Sequence, residues 1–297
     1  MSDLFFLDKR DKNNSFIRFK VPELNMRLTN KIFEQVSKNQ LYKILIESLP
    51  KEYIDLYFKK KIFYDIKDIS SKIIINEWNF YNKKNNFLKE IKIDNSPFIN
   101  IINKELIGSV FKIKSSRINL KYFNFFLKEK YAIYIKFLKF KKFFTIYKKK
   151  NHFDKFDTKI GVNFVEGCNP NFRNDLFFLK KNKIKYSSIV YYCENKKLIT
   201  KYLDGTKNLE DLEKKGIKFV KLWEWNNIKN ISFLENIKKN IENFNNKDKF
   251  NLWLLKEIKK LILQINFWYC FFSDYNIKIH FNSEEHGISN VIKQIAI

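Results

Sequence analysis

Glycine is scarce in this chain. There are six in 297 residues, none before Gly108, and five of them (Gly161, Gly167, Gly205, Gly216 and Gly287) lie after residue 160. Sharp strand-to-helix connections need glycine where the backbone turns left-handed, so such connections are expected in the second part of the chain. Gly-rich phosphate loops, G-x-S-x-G, H-E-x-x-H and a D-x-D at a strand end are all missing, which removes the readily recognised nucleotide-loop, serine-hydrolase and zinc-protease signatures. Cysteine is scarce too. Cys168, Cys193 and Cys270 are far apart, odd in number and never in a C-x-x-C pair. That excludes a disulfide framework and a cysteine zinc site, and fits a reducing cytoplasm. No stretch approaches 18 uncharged apolar residues, so no membrane span is expected. Asp3 precedes the short apolar run of the N-terminus and no small-residue cleavage site follows, so it does not read as a signal peptide. Arginine is rare: Arg10, Arg18, Arg27, Arg117 and Arg173 are the only five among 58 basic residues.

What is abundant is lysine and aromatic carbon. The hydrophobic share of 45% and aromatic share of 18% suffice for one large core or two compact domains and exclude a disordered chain. The formal charge of +26 invites a nucleic-acid or membrane-surface role. Against it, lysine is spread along nearly every segment beside heavy use of Asn, Ile, Phe and Tyr, as AT-rich coding produces. A nucleic-acid binder gathers charge on one face and favours arginine forks. Both readings stay open, with no sequence-specific nucleic acid expected.

Residues 1–158 read as a helix-rich, lysine- and aromatic-rich region. It opens with two short strand-like runs, Leu4–Leu7 and Phe16–Val21, followed by helical patterns around 30–48, 51–62 and 71–90. In 117–150, lysines recur at helical spacings with aromatics between them, which favours a helix over a strand. From 159 to 297 the pattern becomes regular. Apolar strands are expected at Lys159–Val165, Ser188–Cys193, Ile217–Leu222 and Ile277–Phe281. Helices are expected at 172–182, Asn208–Lys215 with Gly216 as its cap, a long amphipathic section over 231–273, and 284–297. That alternation predicts an α/β domain with a parallel, Rossmann-like sheet covered by helices on both faces. The chain stops at Ile295-Ala-Ile297 inside a helix that has only begun, which suggests a partial chain.

Ligands of open parallel sheets bind beyond the carboxyl ends of the strands, so the candidates lie there. The first strand leads into Glu166, Asn169, Arg173 and Asp175. In a lysine-dominated chain, Arg173 suggests a bidentate phosphate or carboxylate contact, or a pair with Asp175 or Glu166 that pins the loop. Glu194 follows the second strand. Trp223, with Glu224 and Trp225, follows the third and could stack on a sugar ring or pack in the core. The fourth leads into Asn282, Glu285, His286 and Gly287. Asn282 with Glu285 fits a capping box, placing His286 in the first helical turn as a general base, an anion contact or a plain polar residue. The catalytic candidates are Glu166 and His286, with Asn169, Arg173, Asp175, Glu194, Trp223, Glu285 and Gly287 for binding. His280 lies within a strand and is expected to pack; its spacing to His286 fits no metal site, and no metal or cofactor is expected.

The run Gly161-Val-Asn-Phe-Val-Glu-Gly-Cys-Asn-Pro-Asn-Phe-Arg-Asn-Asp-Leu-Phe-Phe178, then Ile189-Val-Tyr-Tyr-Cys-Glu194, resembles bacterial surface-polysaccharide biosynthesis proteins. The nearest group is the PFTS-motif polysaccharide biosynthesis proteins and related glycosyltransferases, over roughly 159–297; the namesake tetrapeptide is absent. The resemblance implies two Rossmann-like domains in a GT-B-like arrangement, with the half holding most of an activated-sugar donor beyond Ile297. The partners implied are a nucleotide-sugar donor and a glycan or lipid-linked acceptor, met at the inner face of the membrane. The alternatives are a non-catalytic basic protein on nucleic acid or anionic lipid, and an α/β domain with no activity of its own.

Overall fold

The computed structural model describes residues 15–82, 86–94, 96–107, 109, 111–116, 159–163, 189–194, 214, 218–242, 244, 248–281 and 287–297. Contacts divide the chain into two units, Met1–Lys128 with Ile237–Ile258, and Glu129–Asn236 with Lys259–Ile297.

The first unit opens with three helices, α1 (Ser15–Lys38), α2 (Gln40–Ile46) and α3 (Lys51–Tyr81). Leu24, Leu28, Ile32 and Val36 recur every fourth residue and are buried, as are Ile54, Phe58, Ile62, Ile66, Ile69 and Ile73 on α3. Two such stripes pack helix on helix, and each buried aliphatic side chain contributes about 1.5–3 kcal/mol. Asn25 ties the stripes together: its amide donates to the Phe63 carbonyl (3.2 Å) and its oxygen accepts from Ser70 (3.2 Å). Asn39 caps α2 by accepting from the Leu41 N–H at 2.9 Å.

Phe16–Val21 is helical, not a strand. Val21 continues the spacing of Leu24 and Leu28, so the period of the whole segment overrides the β preference of six residues. The two helical patterns expected at 51–62 and 71–90 are one helix that stops at Tyr81. Beyond it lies an element the sequence reading did not foresee, a parallel pair of β1 (Glu90–Asp94) and β2 (Lys112–Ser116) joined through α4 (Ile99–Glu105). Asn103 on α4 brackets Ile113 of β2, donating to its carbonyl (3.0 Å) and accepting from its N–H (3.3 Å). Asn76 on α3 brackets Leu88 in the same way, at 2.8 Å in both directions. Leu4–Leu7 and the 117–150 stretch lie outside the described residues.

The second unit holds β3 (Lys159–Asn163), β4 (Ile189–Cys193), β5 (Lys218–Lys221), β6 (Ile277–Phe281) and α7 (Ile288–Ala296). Helix α5 (Ser232–Glu242) and helix α6 (Lys249–Asp274) each give residues to both units. All strand pairs are parallel and the order is β5-β4-β3-β6. The fold is therefore mixed α/β with parallel sheets, as the alternating pattern predicts. The chain moves from β3 through β4 to β5 in one direction, then returns past the start to set β6 on the other side of β3.

Central strand β4 is buried at every residue, as expected of a strand covered on both faces. Edge strand β6 departs from that expectation: Ile279 is 55% and Phe281 39% exposed. The β3–β6 register shifts between Lys159 and Ile160, so Ile277 lies opposite Lys159 while His280 lies opposite Gly161. Lys159 and Gly161 share a face, so this bulge brings Ile277 and His280 to one side although they are three residues apart. Gly161 is required there, because an added Cβ would sit 2.9 Å from Ile277 Cγ2. The helix expected over 172–182, the one at Asn208–Lys215 and its Gly216 cap lie outside the described residues.

Candidate functional site

In parallel sheets the row of residues in register shares a face, so pairing dictates what meets what. Val190, Gly161 and His280 form one row, and Tyr192 and Asn163, two residues on, form the next on the same side. Helix α6 covers that face. Tyr192 meets Trp268 (ring centroids 5.4 Å) and Phe271 (5.3 Å), and His280 meets Phe272 (5.8 Å).

Polar atoms collect at the carboxyl end of this aromatic face. The Tyr192 hydroxyl and His280 Nε2 are 2.5 Å apart. Burial first, and then the nearby Lys293 ammonium, pull the His280 pKa down to about 3, so the ring is neutral near pH 7. Its other nitrogen, Nδ1, is buried without a hydrogen-bond partner among the described residues. Burial, reinforced by the Glu194 charge, pushes the Tyr192 phenol well above its usual range. Tyrosine and histidine thus form a neutral pair.

Lys293 enters from α7, whose other buried residues are Asn290, Val291, Ile292, Ile295 and Ala296. Its side chain is 0% exposed, and its Nζ donates to Glu194 Oε1 at 2.5 Å. The ammonium also lies 4.5 Å from the Trp268 ring centroid and 5.3 Å from that of Tyr192. An ammonium out of water needs such compensation: a carboxylate close by and negative ring faces around it. Asn163, at the end of β3, donates to the same Glu194 oxygen at 3.3 Å. Glu194 stands just past β4, and its side chain is 41% exposed. The site is a fixed, half-exposed carboxylate backed by a buried cation at the carboxyl edge of the sheet.

Of the residues singled out by sequence, Glu194 lies in this cluster. Trp223 sits half-buried in the turn after β5, where the Leu222 N–H bonds back to the Cys193 carbonyl at 3.1 Å. Gly287 is the N-cap of α7, with no side-chain cap bond. The capping box expected at Asn282 and Glu285 is therefore not the cap of this helix, which starts at Ile288, after His286. Glu166, Asn169, Arg173, Asp175, Glu285 and His286 lie outside the described residues. Trp225 is a packing residue. Its ring meets Phe267 and Phe271 edge-on, and its N–H donates to Asp274 at 3.0 Å.

Sequence reasoning missed Asn163, Tyr192 and Lys293, and it read His280 as packing alone. A lone lysine among apolar helix residues is a usable signal, but in a chain with lysine in nearly every segment it does not stand out. Among the described residues, no group of His, Cys, Asp and Glu is arranged to hold a metal ion, and no helix is long and apolar enough to cross a membrane. A separate open groove of about 430 Å³ lies in the first unit, lined by Phe80, Phe87, Phe111, Lys89 and Lys112 among others. Compared with known proteins, the chain matches no family model, no curated sequence and no solved structure.

Proposed function

We propose that the second unit is the Rossmann-like part of a glycosyltransferase-like enzyme of bacterial surface-polysaccharide assembly, with its ligand beyond the carboxyl ends of β3 and β6. The observation that carries this is the strand order. β3 pairs in parallel with β4 on one side and with β6 on the other, so the strand order reverses at β3. Open α/β sheets bind ligands in the crevice where the order reverses in this way. The resemblance of 161–178 and 189–194 supplies the chemistry, a nucleotide-sugar donor and a glycan or lipid-linked acceptor at the inner membrane face.

On this reading the acceptor oxygen attacks the anomeric carbon, the bond to the nucleotide diphosphate breaks, and Glu166 or His286 takes the hydroxyl proton. Arg173 sets a bidentate fork against the departing phosphates. The same reading assigns ligand contacts to Asn169, Asp175, Glu194, Trp223, Glu285 and Gly287. The experiment is titration of the chain with UDP, GDP, ADP and CDP sugars by calorimetry. Weak but saturable binding is expected, because the resemblance assigns most of the donor site to the other half of such enzymes, and Arg173→Lys should weaken it further, because lysine keeps the charge and loses the fork. A folded chain that binds none of them sinks the proposal.

A further inference from the structure

The first unit carries a groove at the amino ends of its two strands, and bonds to the main chain fix how it is built. Asn76 brackets Leu88, and the Asn79 amide donates to the Asn86 carbonyl at 3.4 Å, so the segment after α3 folds back along that helix. This sets Phe87 beside Phe80, with ring centroids 4.9 Å apart. The Lys112 N–H donates to the Lys89 carbonyl at 3.0 Å, which brings the two lysines to the same end of the β1–β2 ladder. Phe80, Phe87, Lys89 and Lys112 line the open groove of about 430 Å³, together with buried Phe111.

The polar groups there are unevenly engaged. The Ser109 hydroxyl donates to the Phe111 carbonyl at 2.9 Å, and Glu90 is held by Lys114 at 2.5 Å. Lys89 and Lys112 are exposed and form no ion pair among the described residues. Cation prevails around them. Over the first three residues of each strand, Glu90 and Lys92 of β1 stand opposite Lys112 and Lys114 of β2, one carboxylate among three ammoniums. Like charges directly opposite each other, as in the Lys92–Lys114 pair, cost stability that a bound anion offsets. Phenylalanine rings with unengaged ammoniums beside them complement a ligand with an apolar ring and one anionic group. A sugar, whose hydroxyls seek acceptors, finds the Glu90 carboxylate already taken.

We propose that this groove binds a small aromatic carboxylate, its ring against Phe80 and Phe87 and its carboxylate between the Lys89 and Lys112 ammoniums. The site belongs to the first unit and does not depend on the crevice beyond β3 and β6 taking a nucleotide sugar.

The test is calorimetric titration of the full chain with 2-naphthoate and with 2-naphthamide, which keeps the shape without the charge. Hydrogen bonds to a charged group are strong enough that naphthoate should bind about tenfold more tightly. Lys89→Gln combined with Lys112→Gln, both at exposed positions, should erase that preference and leave the amide unaffected. Phe80→Ala should weaken both compounds alike, by roughly two- to tenfold. Lys43→Gln, on α2 and outside the groove lining, should keep the full preference. Equal loss in Lys43→Gln and in the double variant would reduce the effect to the diffuse charge of the chain and overturn the site. No binding of naphthoate, or binding without preference over the amide, overturns it as well. Vesicles containing phosphatidylglycerol are the remaining arm. If naphthoate does not bind while these vesicles retain the native chain and release the double variant, the face is a lipid surface and the assignment is wrong.

Discussion

At the scale of single residues, the second unit depends on groups whose chemistry is set by burial. His280 is held neutral in the folded chain down to about pH 3, against an ordinary value of 6.5. Once unfolded, the ring takes up its proton as pH falls through the ordinary value, whereas the folded ring resists until near the lowered one. The unfolded state therefore binds more protons across this window, and stability falls as pH drops from 6.5 toward 3. His280→Gln, which cannot titrate, should show a shallower loss across that window in denaturant melts; parallel curves would contradict the burial argument. Gly161 sets the other residue-scale test. Gly161→Ala pushes a Cβ against Ile277 on the neighbouring strand. It should cost about 1–3 kcal/mol of stability, as overpacking does. An unchanged melting temperature would mean that the two strands are farther apart than described.

At the scale of elements, periodicity was a good guide where it was long or where residues were apolar throughout. The strand expected at Ile277–Phe281 is β6, residue for residue, and Ser188–Cys193 overlaps β4 closely because Ile189 to Cys193 are all core-forming. The failures were short elements. Glu90-Ile-Lys-Ile-Asp alternates over five residues only, and Lys112-Ile-Lys-Ser-Ser has one apolar residue, so neither outweighs the helical pattern before it. What defines these strands is tertiary: their pairing with each other, with Asn103 bracketing Ile113 of β2 and Asn76 holding Leu88 just ahead of β1. The bulge that turns His280 toward Tyr192 was likewise illegible, because register is a property of two strands together. Helix α1 carries a test of its own. Pro22 lies two turns inside it, where it removes a backbone bond and crowds the preceding turn. Pro22→Ala should raise stability by about 1–3 kcal/mol and increase helical ellipticity. No gain would mean that the helix starts after Pro22.

At the scale of the whole molecule, the sequence carries a formal charge of +26, with lysine rather than arginine as its source. Such charge attracts polyanions without reading them. Duplex DNA should bind weakly, without sequence preference, and release by about 200 mM salt, while anionic vesicles should retain the chain better than neutral ones. DNA binding that survives that salt and prefers a sequence would favour a nucleic-acid role over the transferase reading. The central claim is narrower than charge, since it names one edge of one sheet. The most direct test is a crystal structure of the chain with a bound nucleotide sugar or glycan acceptor. The account predicts the ligand beyond the carboxyl ends of β3 and β6. A ligand seated instead in the Phe80–Phe111 groove, or at the amino ends of the strands, would contradict it.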